Sequence, residues 1–230
     1  MGTVRTISFS SKFLSIVSIA AIGLLSACGE HGSSKAPVSS ATVSDTKANS
    51  ITECFYTVGS LSKSDAELFA ASGAGDIRRV EQLVGANGNV NVTDAIKRTP
   101  LFAAAFCNHP EVANFLIDKG SNVNAVDFLG MSPLHAAVIV DGMEVAKTLI
   151  SRGANVDSRS AVGRTPLHIA AATNQMTMVE LLLESGANAQ VRDKNGITAA
   201  SLASNNGHPA VAVKIKKWQE KKKSENRAPA

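Results

Sequence analysis

Two histidines have the side-chain type that acid–base chemistry requires, and they recur in the same local setting. His135 and His168 lie 33 residues apart, and each stands two residues after a proline. Neither belongs to a His-Glu-x-x-His zinc motif, and the sequence has no Gly-x-Ser-x-Gly, Cys-x-x-Cys or phosphate-loop motif. The carboxylates are scattered along the chain without an arranged pair. The sequence therefore predicts a protein that is not an enzyme and has no metal or cofactor site.

The spacing of the two histidines belongs to a longer internal repeat. Columns of identical or similar residues recur every 33 positions, which is a period typical of stacked helical units. The matched positions are Thr99, Ser132, Thr165 and Thr198; Pro100, Pro133 and Pro166; Leu101, Leu134 and Leu167; Ala104, Ala137, Ala170 and Ala203; and Gly120, Gly153 and Gly186.

Each unit contains the signals for two short helices. A Thr or Ser hydroxyl can cap the first helix, and Pro at the first helical position costs no hydrogen bond. The second helix has apolar residues at helical spacing, as at Val145, Leu149 and Ile150. A Gly such as Gly153 then ends it. Because no unit can bury its apolar face alone, the units must stack.

This pattern resembles the ankyrin repeat. The family motif Thr-Pro-Leu-His-x-Ala stands at residues 165–170, and residues 132–137 carry it with Ser in the first position. In the first full unit, Phe102 replaces the histidine. The resemblance implies an all-α repeat solenoid of about five helix–turn–helix units with β-turn fingers, over residues 64–220 and including degenerate caps. It also implies that His135 and His168 are structural, each bonded to the backbone of a neighbouring hairpin, and that the protein binds other proteins.

The N-terminus carries a targeting signal. Residues 13–25 are apolar and uncharged, which is too short to span a bilayer but suits the core of a signal peptide. The next residues, Leu-Ser-Ala-Cys at 25–28, resemble the lipobox of bacterial lipoproteins. The resemblance implies that residues 1–27 are a cleaved lipoprotein signal peptide and that Cys28 is acylated. Because Gly29 rather than Asp follows, it implies the periplasmic face of a Gram-negative outer membrane, with residues 28–50 as a flexible tether.

Two further cysteines remain, and their state is open. In an oxidising compartment, Cys54 and Cys107 could form a disulfide that folds the N-terminal segment, residues 51–63, onto the first repeats. They could equally remain two separate thiols.

The charge distribution excludes one class of partner and leaves the tail with two interpretations. The net charge is +4, but basic residues concentrate in residues 1–27 and 214–230, and the stretch between is slightly acidic. We therefore expect no binding to nucleic acid. The segment around Trp218 could contact anionic lipid head groups, or it could be a solvated last helix. We favour the second interpretation, with residues 221–230 as a basic disordered tail.

The predicted binding face lies on the finger tips and in the adjoining concave groove. In a stack that faces only water these positions should be polar, yet eight of them are apolar and cluster in the first full units, with Phe128 and Ile139 near the centre. The alternative is that Cys54, Phe55 and Tyr56 fold over part of this face. The eight predicted partner-binding residues are Ile96, Phe106, Phe128, Leu129, Met131, Ile139, Val140 and Val162.

The predicted function is protein binding by a chain that is monomeric when free. Lipid-anchored ankyrin-repeat proteins resemble, among other things, immunity proteins that neutralise secreted phospholipase or lipase toxins delivered by type VI secretion. The alternative is a periplasmic scaffold that supports another protein, such as an oxidative-stress enzyme.

Overall fold

The computed structural model describes residues 61–86 and 88–225, which belong to one compact unit, Ile51–Ala230. These described residues form ten α-helices in five consecutive pairs. The inner helix of each pair comes first and the outer helix second. The helices are α1 (Lys63–Ala74), α2 (Ile77–Gly85), α3 (Pro100–Phe106), α4 (Pro110–Asp118), α5 (Pro133–Ile139), α6 (Met143–Ser151), α7 (Pro166–Ala172), α8 (Met176–Glu184), α9 (Ala199–Asn205) and α10 (Pro209–Glu225).

Hydroxyl caps set the starts of the inner helices. The Thr99 side chain accepts the Phe102 N–H over 3.2 Å, and Thr198 accepts the Ser201 N–H over 3.3 Å. Ser132 forms a reciprocal capping box with His135 ahead of α5. Since Pro occupies the first turn of α3, α5 and α7, its missing N–H leaves no helical bond unmade.

A left-handed residue turns the chain between the two helices of each unit. Asn108, Asp141 and Asn174 hold φ values of 60°, 57° and 62° in the three full units. The first and last units have Gly75 and Gly207 at the equivalent position, with φ of 74° and 77°. Because Asn, Asp and Gly tolerate this conformation better than other residues, the tight turn recurs at every 33rd position.

The core is one continuous apolar cluster that runs along the stack. It extends from Leu68 in α1 to Ile215 in α10, and Leu101, Leu134 and Leu167 repeat within it at almost complete burial. Each inner helix contacts the next inner helix, and the outer helices pack less closely, with contacts between α2 and α4, α4 and α6, and α8 and α10. Stability in such a stack depends on the interfaces between units.

The last helix corrects the predicted start of the disordered tail. The sequence predicts disorder from residue 221, but α10 continues to Glu225. Lys221 and Lys222 lie 3.9 and 3.1 Å from the Glu225 carboxylate, and the Lys222 ammonium lies 5.6 Å from the centroid of the Trp218 ring. These contacts at helical spacing support the extra turn.

No helix within residues 61–86 and 88–225 has the length and apolar character needed to cross a membrane. The predicted signal peptide, the acylation site Cys28, the tether and Cys54 lie outside the described residues.

Candidate binding surface

The loops that connect successive units form fingers, and each finger ends in a tight turn. We call these turns the finger tips: residues 94–98, 127–131, 160–164 and 193–197. In three tips the first residue is an aspartate whose carboxylate accepts the main-chain N–H groups two and four residues further on, at 2.8–3.0 Å. In the third tip, Ser160 takes this position and its hydroxyl accepts the Arg164 N–H over 3.2 Å. The tips are therefore rigid, internally bonded turns.

Burial and hydrogen bonding act in opposite directions on the tip carboxylates. Burial raises the pKa of Asp127, although the N–H groups of Met131 and Leu129 oppose the rise. Burial would also raise the pKa of Asp193, but main-chain N–H donors and Arg164 outweigh it and lower that pKa below its usual value. The carboxylates thus stabilise the turns by hydrogen bonds to the main chain and do not face solvent.

Main-chain hydrogen bonds join each tip to the next. The Phe128 N–H donates to Ile96 O over 2.8 Å, and the Lys194 N–H donates to Val162 O over 3.0 Å. Between them, the Ala161 N–H donates to Leu129 O over 2.7 Å. The tips therefore form one continuous edge along the stack.

Three of the eight predicted binding residues stand exposed on this edge. Phe128 is 69% exposed, Val162 55% and Ile96 38%. We call these three side chains the tip row. In the last tip, Lys194, Asn195 and Gly196 are exposed, and no apolar side chain stands among them.

The other five predicted residues are half-buried. Phe106 stacks on Phe102 with ring centroids 6.4 Å apart, and Phe106 and Met131 both pack against the core. Since part of each side chain is buried within the stack, these residues offer less exposed area to a partner than the tip row does. Whether they bind a partner stays a prediction. The half-buried residues are Phe106, Leu129, Met131, Ile139 and Val140.

One exposed apolar residue of the fingers was missed by the sequence analysis. Val126 is 46% exposed and directly precedes the second tip. The repeat contained the signal, because the equivalent positions in the other fingers are the polar Thr93, Arg159 and Arg192. A valine in an otherwise polar column indicates a side chain that is not needed for the turn.

The two histidines connect each unit to the finger that follows. His135 Nε2 lies 3.1 Å from Arg164 O, and His168 Nε2 lies 3.1 Å from Ile197 O. His135 Nδ1 accepts the Ser132 N–H over 3.1 Å, so the ring proton is on Nε2 and both nitrogens are engaged. Burial lowers the pKa of His135 to about 4 and also lowers the pKa of His168. A neutral ring with both nitrogens bonded has no free position for acid–base chemistry.

Cys107 ends helix α3 in the groove, directly after Phe106. It is half-buried and disulfide-bonded. The chain's other cysteines, Cys28 and Cys54, lie outside the described residues, so the pairing of Cys54 with Cys107 stays a prediction. Among the described residues, no group of three His, Cys, Asp or Glu side chains could hold a metal ion.

Comparison with known families gives one match. A family model described as ankyrin repeats, in three copies, matches residues 68–160 and 141–222. The two matches together span most of the chain and reach into all five helix pairs, which confirms the predicted repeat solenoid. No curated protein matches the chain significantly.

Proposed function

Because this chain belongs to the ankyrin-repeat family, we propose that its partner is a protein that contacts the tip row and the adjoining groove. Members of the family are typically non-catalytic interaction modules. The observation that supports this location is the tip row itself: Ile96, Phe128 and Val162 are exposed apolar side chains on a single edge joined by main-chain bonds. Contiguous exposed apolar surface is typical of interaction sites.

The groove beside the tip row supplies a second contact region. Ile139 and Val140 lie at the end of helix α5, and both are half-buried. A side chain that fills the groove would remove the remaining exposed parts of these residues from water. Binding energy in such interfaces concentrates in a few central apolar anchors. We place Phe128 and Ile139 among those anchors.

We propose further that the protein is held at the periplasmic face of a bacterial membrane through acylated Cys28. Residues 28–50 would let the repeat stack range away from the membrane surface. Tethering would raise the effective concentration of the stack near any membrane-directed partner. Replacement of Cys28 by Ala should release the protein from the membrane fraction. Retention of the variant in the outer membrane would contradict the anchor.

Within that setting we propose an immunity role, in which the stack binds and neutralises a secreted phospholipase or lipase toxin. The support is a rigid binding surface, combined with the proposed anchor on the membrane that such a toxin attacks. The alternative proposal is a periplasmic scaffold for another protein, such as an oxidative-stress enzyme. Inhibition of a phospholipase encoded beside this gene would favour immunity, and undiminished phospholipase activity at saturating protein would reject it.

The protein-binding proposal is tested by affinity purification with a soluble Cys28→Ser chain. Capture of a specific partner from periplasmic extract should fall more than tenfold with Phe128→Asp combined with Ile139→Asp, since a central apolar anchor contributes about 2 kcal/mol or more. Val213→Asp is the matched control, because Val213 is 49% exposed but lies on α10, away from the fingers. Equal capture by the double variant would place the partner on another surface.

A further inference from the structure

The acids of the finger tips are turned inward. Asp94, Asp127 and Asp193 are all buried, and each carboxylate accepts main-chain N–H groups of its own tip. Asp94 also pairs with Arg98 at 2.8 Å, and Asp193 lies 3.5 Å from Arg164. The negative charge of the tips is therefore directed into the turns and away from solvent.

The solvent-facing charges around the tips are basic. Lys97 and Lys194 are exposed within the tips, and Arg159 and Arg192 are exposed directly before the third and fourth tips. By contrast, the exposed acids Glu81, Glu111 and Glu184 lie on the outer helices, whose side chains do not belong to the tips. The outer helices also carry exposed cations such as Arg78, Lys147 and Lys216, so they present both signs of charge, whereas the exposed charges of the tips are only basic.

Two of the basic side chains are held in place by carbonyl groups. Arg159 Nη2 donates to Arg192 O over 2.6 Å, and Arg192 Nη1 donates to Gly196 O over 2.7 Å. Among the described residues, neither guanidinium forms an ion pair with a carboxylate, so their charges are not neutralised locally. A fixed guanidinium with unused N–H groups is suited to a carboxylate, because its planar fork matches that group.

Arg159 lies beside the tip row, and its guanidinium bonds the main chain of Arg192. A Cβ atom built on Gly163 would lie 3.2 Å from Arg159 Nη2, which places this guanidinium next to the residue that follows Val162. Lys97 directly follows Ile96 in the first tip. Apolar anchors and uncompensated cations therefore share one edge of the molecule.

From this arrangement we propose that the tips bind an acidic amphipathic segment of a protein, an inference that rests on the proposed protein-binding function. Apolar side chains of the segment contact Ile96, Phe128 and Val162. Its Asp or Glu side chains face Arg159 and Arg192. An anionic lipid surface also carries negative charge, but the family's role in protein binding favours a protein segment.

The chemistry of the bound segment can be read from an unbiased library. The probe is a random 12-residue peptide library displayed on phage and selected on the immobilised Cys28→Ser chain. We expect the enriched peptides to combine Asp or Glu with Phe, Leu or Trp. Selection on Arg159→Glu combined with Arg192→Glu should remove the acidic enrichment. The matched control, Arg78→Glu with Lys216→Glu, alters two exposed cations away from the tips and should preserve it.

Three results would overturn the inference. The first is enrichment of peptides without net negative charge, and the second is acidic enrichment that persists in the Arg159→Glu, Arg192→Glu variant. In the third, the wild-type chain binds phosphatidylglycerol vesicles, the Arg159→Glu, Arg192→Glu variant does not, and no acidic peptide is enriched. The tips would then be a surface that contacts membranes. If acidic enrichment fails while Phe128→Asp with Ile139→Asp still abolishes partner capture, the protein-binding function stands and only the acidic character of the partner is rejected.

Discussion

The Phe128 main-chain N–H donates to the carbonyl oxygen of Ile96 over 2.8 Å, and this bond holds the main chain of a residue that is 69% exposed beside the apolar tip of the preceding unit. Both residues belong to turns whose aspartates bond their own main chain. A partner that binds here meets a surface that is already ordered. Binding therefore costs little additional ordering of the main chain, which favours affinity.

Leu134→Ala should destabilise the whole stack. Leu134 is completely buried in the continuous core, and truncation of such a residue costs about 2–5 kcal/mol. The loss should spread to neighbouring units, because each unit depends on its interfaces. Urea unfolding followed by circular dichroism measures the effect. The control, Val213→Ala, removes an exposed side chain and should change the free energy of unfolding by no more than about 0.5 kcal/mol.

Acidification should destabilise the protein through His135. Burial lowers the pKa of His135 from 6.5 to about 4, so the unfolded chain binds more protons between these pH values. The stabilisation is fully present above pH 6.5 and is lost progressively as the pH falls towards 4, by up to about 3 kcal/mol. Urea unfolding at pH 7 and pH 5 should show a smaller pH dependence for His135→Gln than for wild type. An unchanged pH dependence would mean that folding does not lower the pKa of His135.

The sequence predicts the fold more fully than it predicts the accessible surface. The 33-residue period defines the helix pairs, because capping hydroxyls, prolines and core leucines recur with it. Exposure is harder to predict, since half-buried residues such as Phe106 and Met131 share their surface between core and groove. The burial of the tip aspartates could not be predicted from composition either. In the sequence Asp127 counts as a surface charge, but in the structure its carboxylate accepts main-chain N–H groups of its own turn. The basic character of the tips therefore becomes visible only from the hydrogen bonds.

The first finger tip contains a residue with a strained backbone conformation, and replacing it by glycine should remove the strain. Lys97 has φ of 64°, whereas the equivalent tip residue Gly130 has φ of 70°. A side chain in this conformation costs about 1–2 kcal/mol, partly offset by the greater freedom of unfolded glycine. Lys97→Gly should raise the free energy of unfolding by about 0.5–1 kcal/mol, measured by urea unfolding.

The reciprocal change, Gly130→Ala, is the matched test. Its Cβ atom would lie 3.0 Å from Ala161 N at a positive φ, so the free energy of unfolding should fall by about 1–2 kcal/mol. Equal stability of Gly130→Ala and wild type would contradict the strain argument.

The predicted pairing of Cys54 with Cys107 should be visible by peptide mapping. Digestion of the oxidised Cys28→Ser chain without reductant should give one cross-linked peptide that contains both cysteines. Cys107→Ser should lower the free energy of unfolding by up to about 4 kcal/mol, because the bond closes a long loop. Recovery of Cys54 in alkylated form from the oxidised protein would reject the pairing.

Photo-cross-linking from position 128 tests the central claim most directly, that a protein partner contacts the tip row. A photoreactive phenylalanine analogue replaces Phe128 in the full-length chain, and the same analogue at Val213 on α10 is the control. Irradiation of living cells should give a specific protein adduct from position 128 and none from position 213. No adduct from position 128, or the same adduct from both positions, would contradict a partner-binding role for the finger tips.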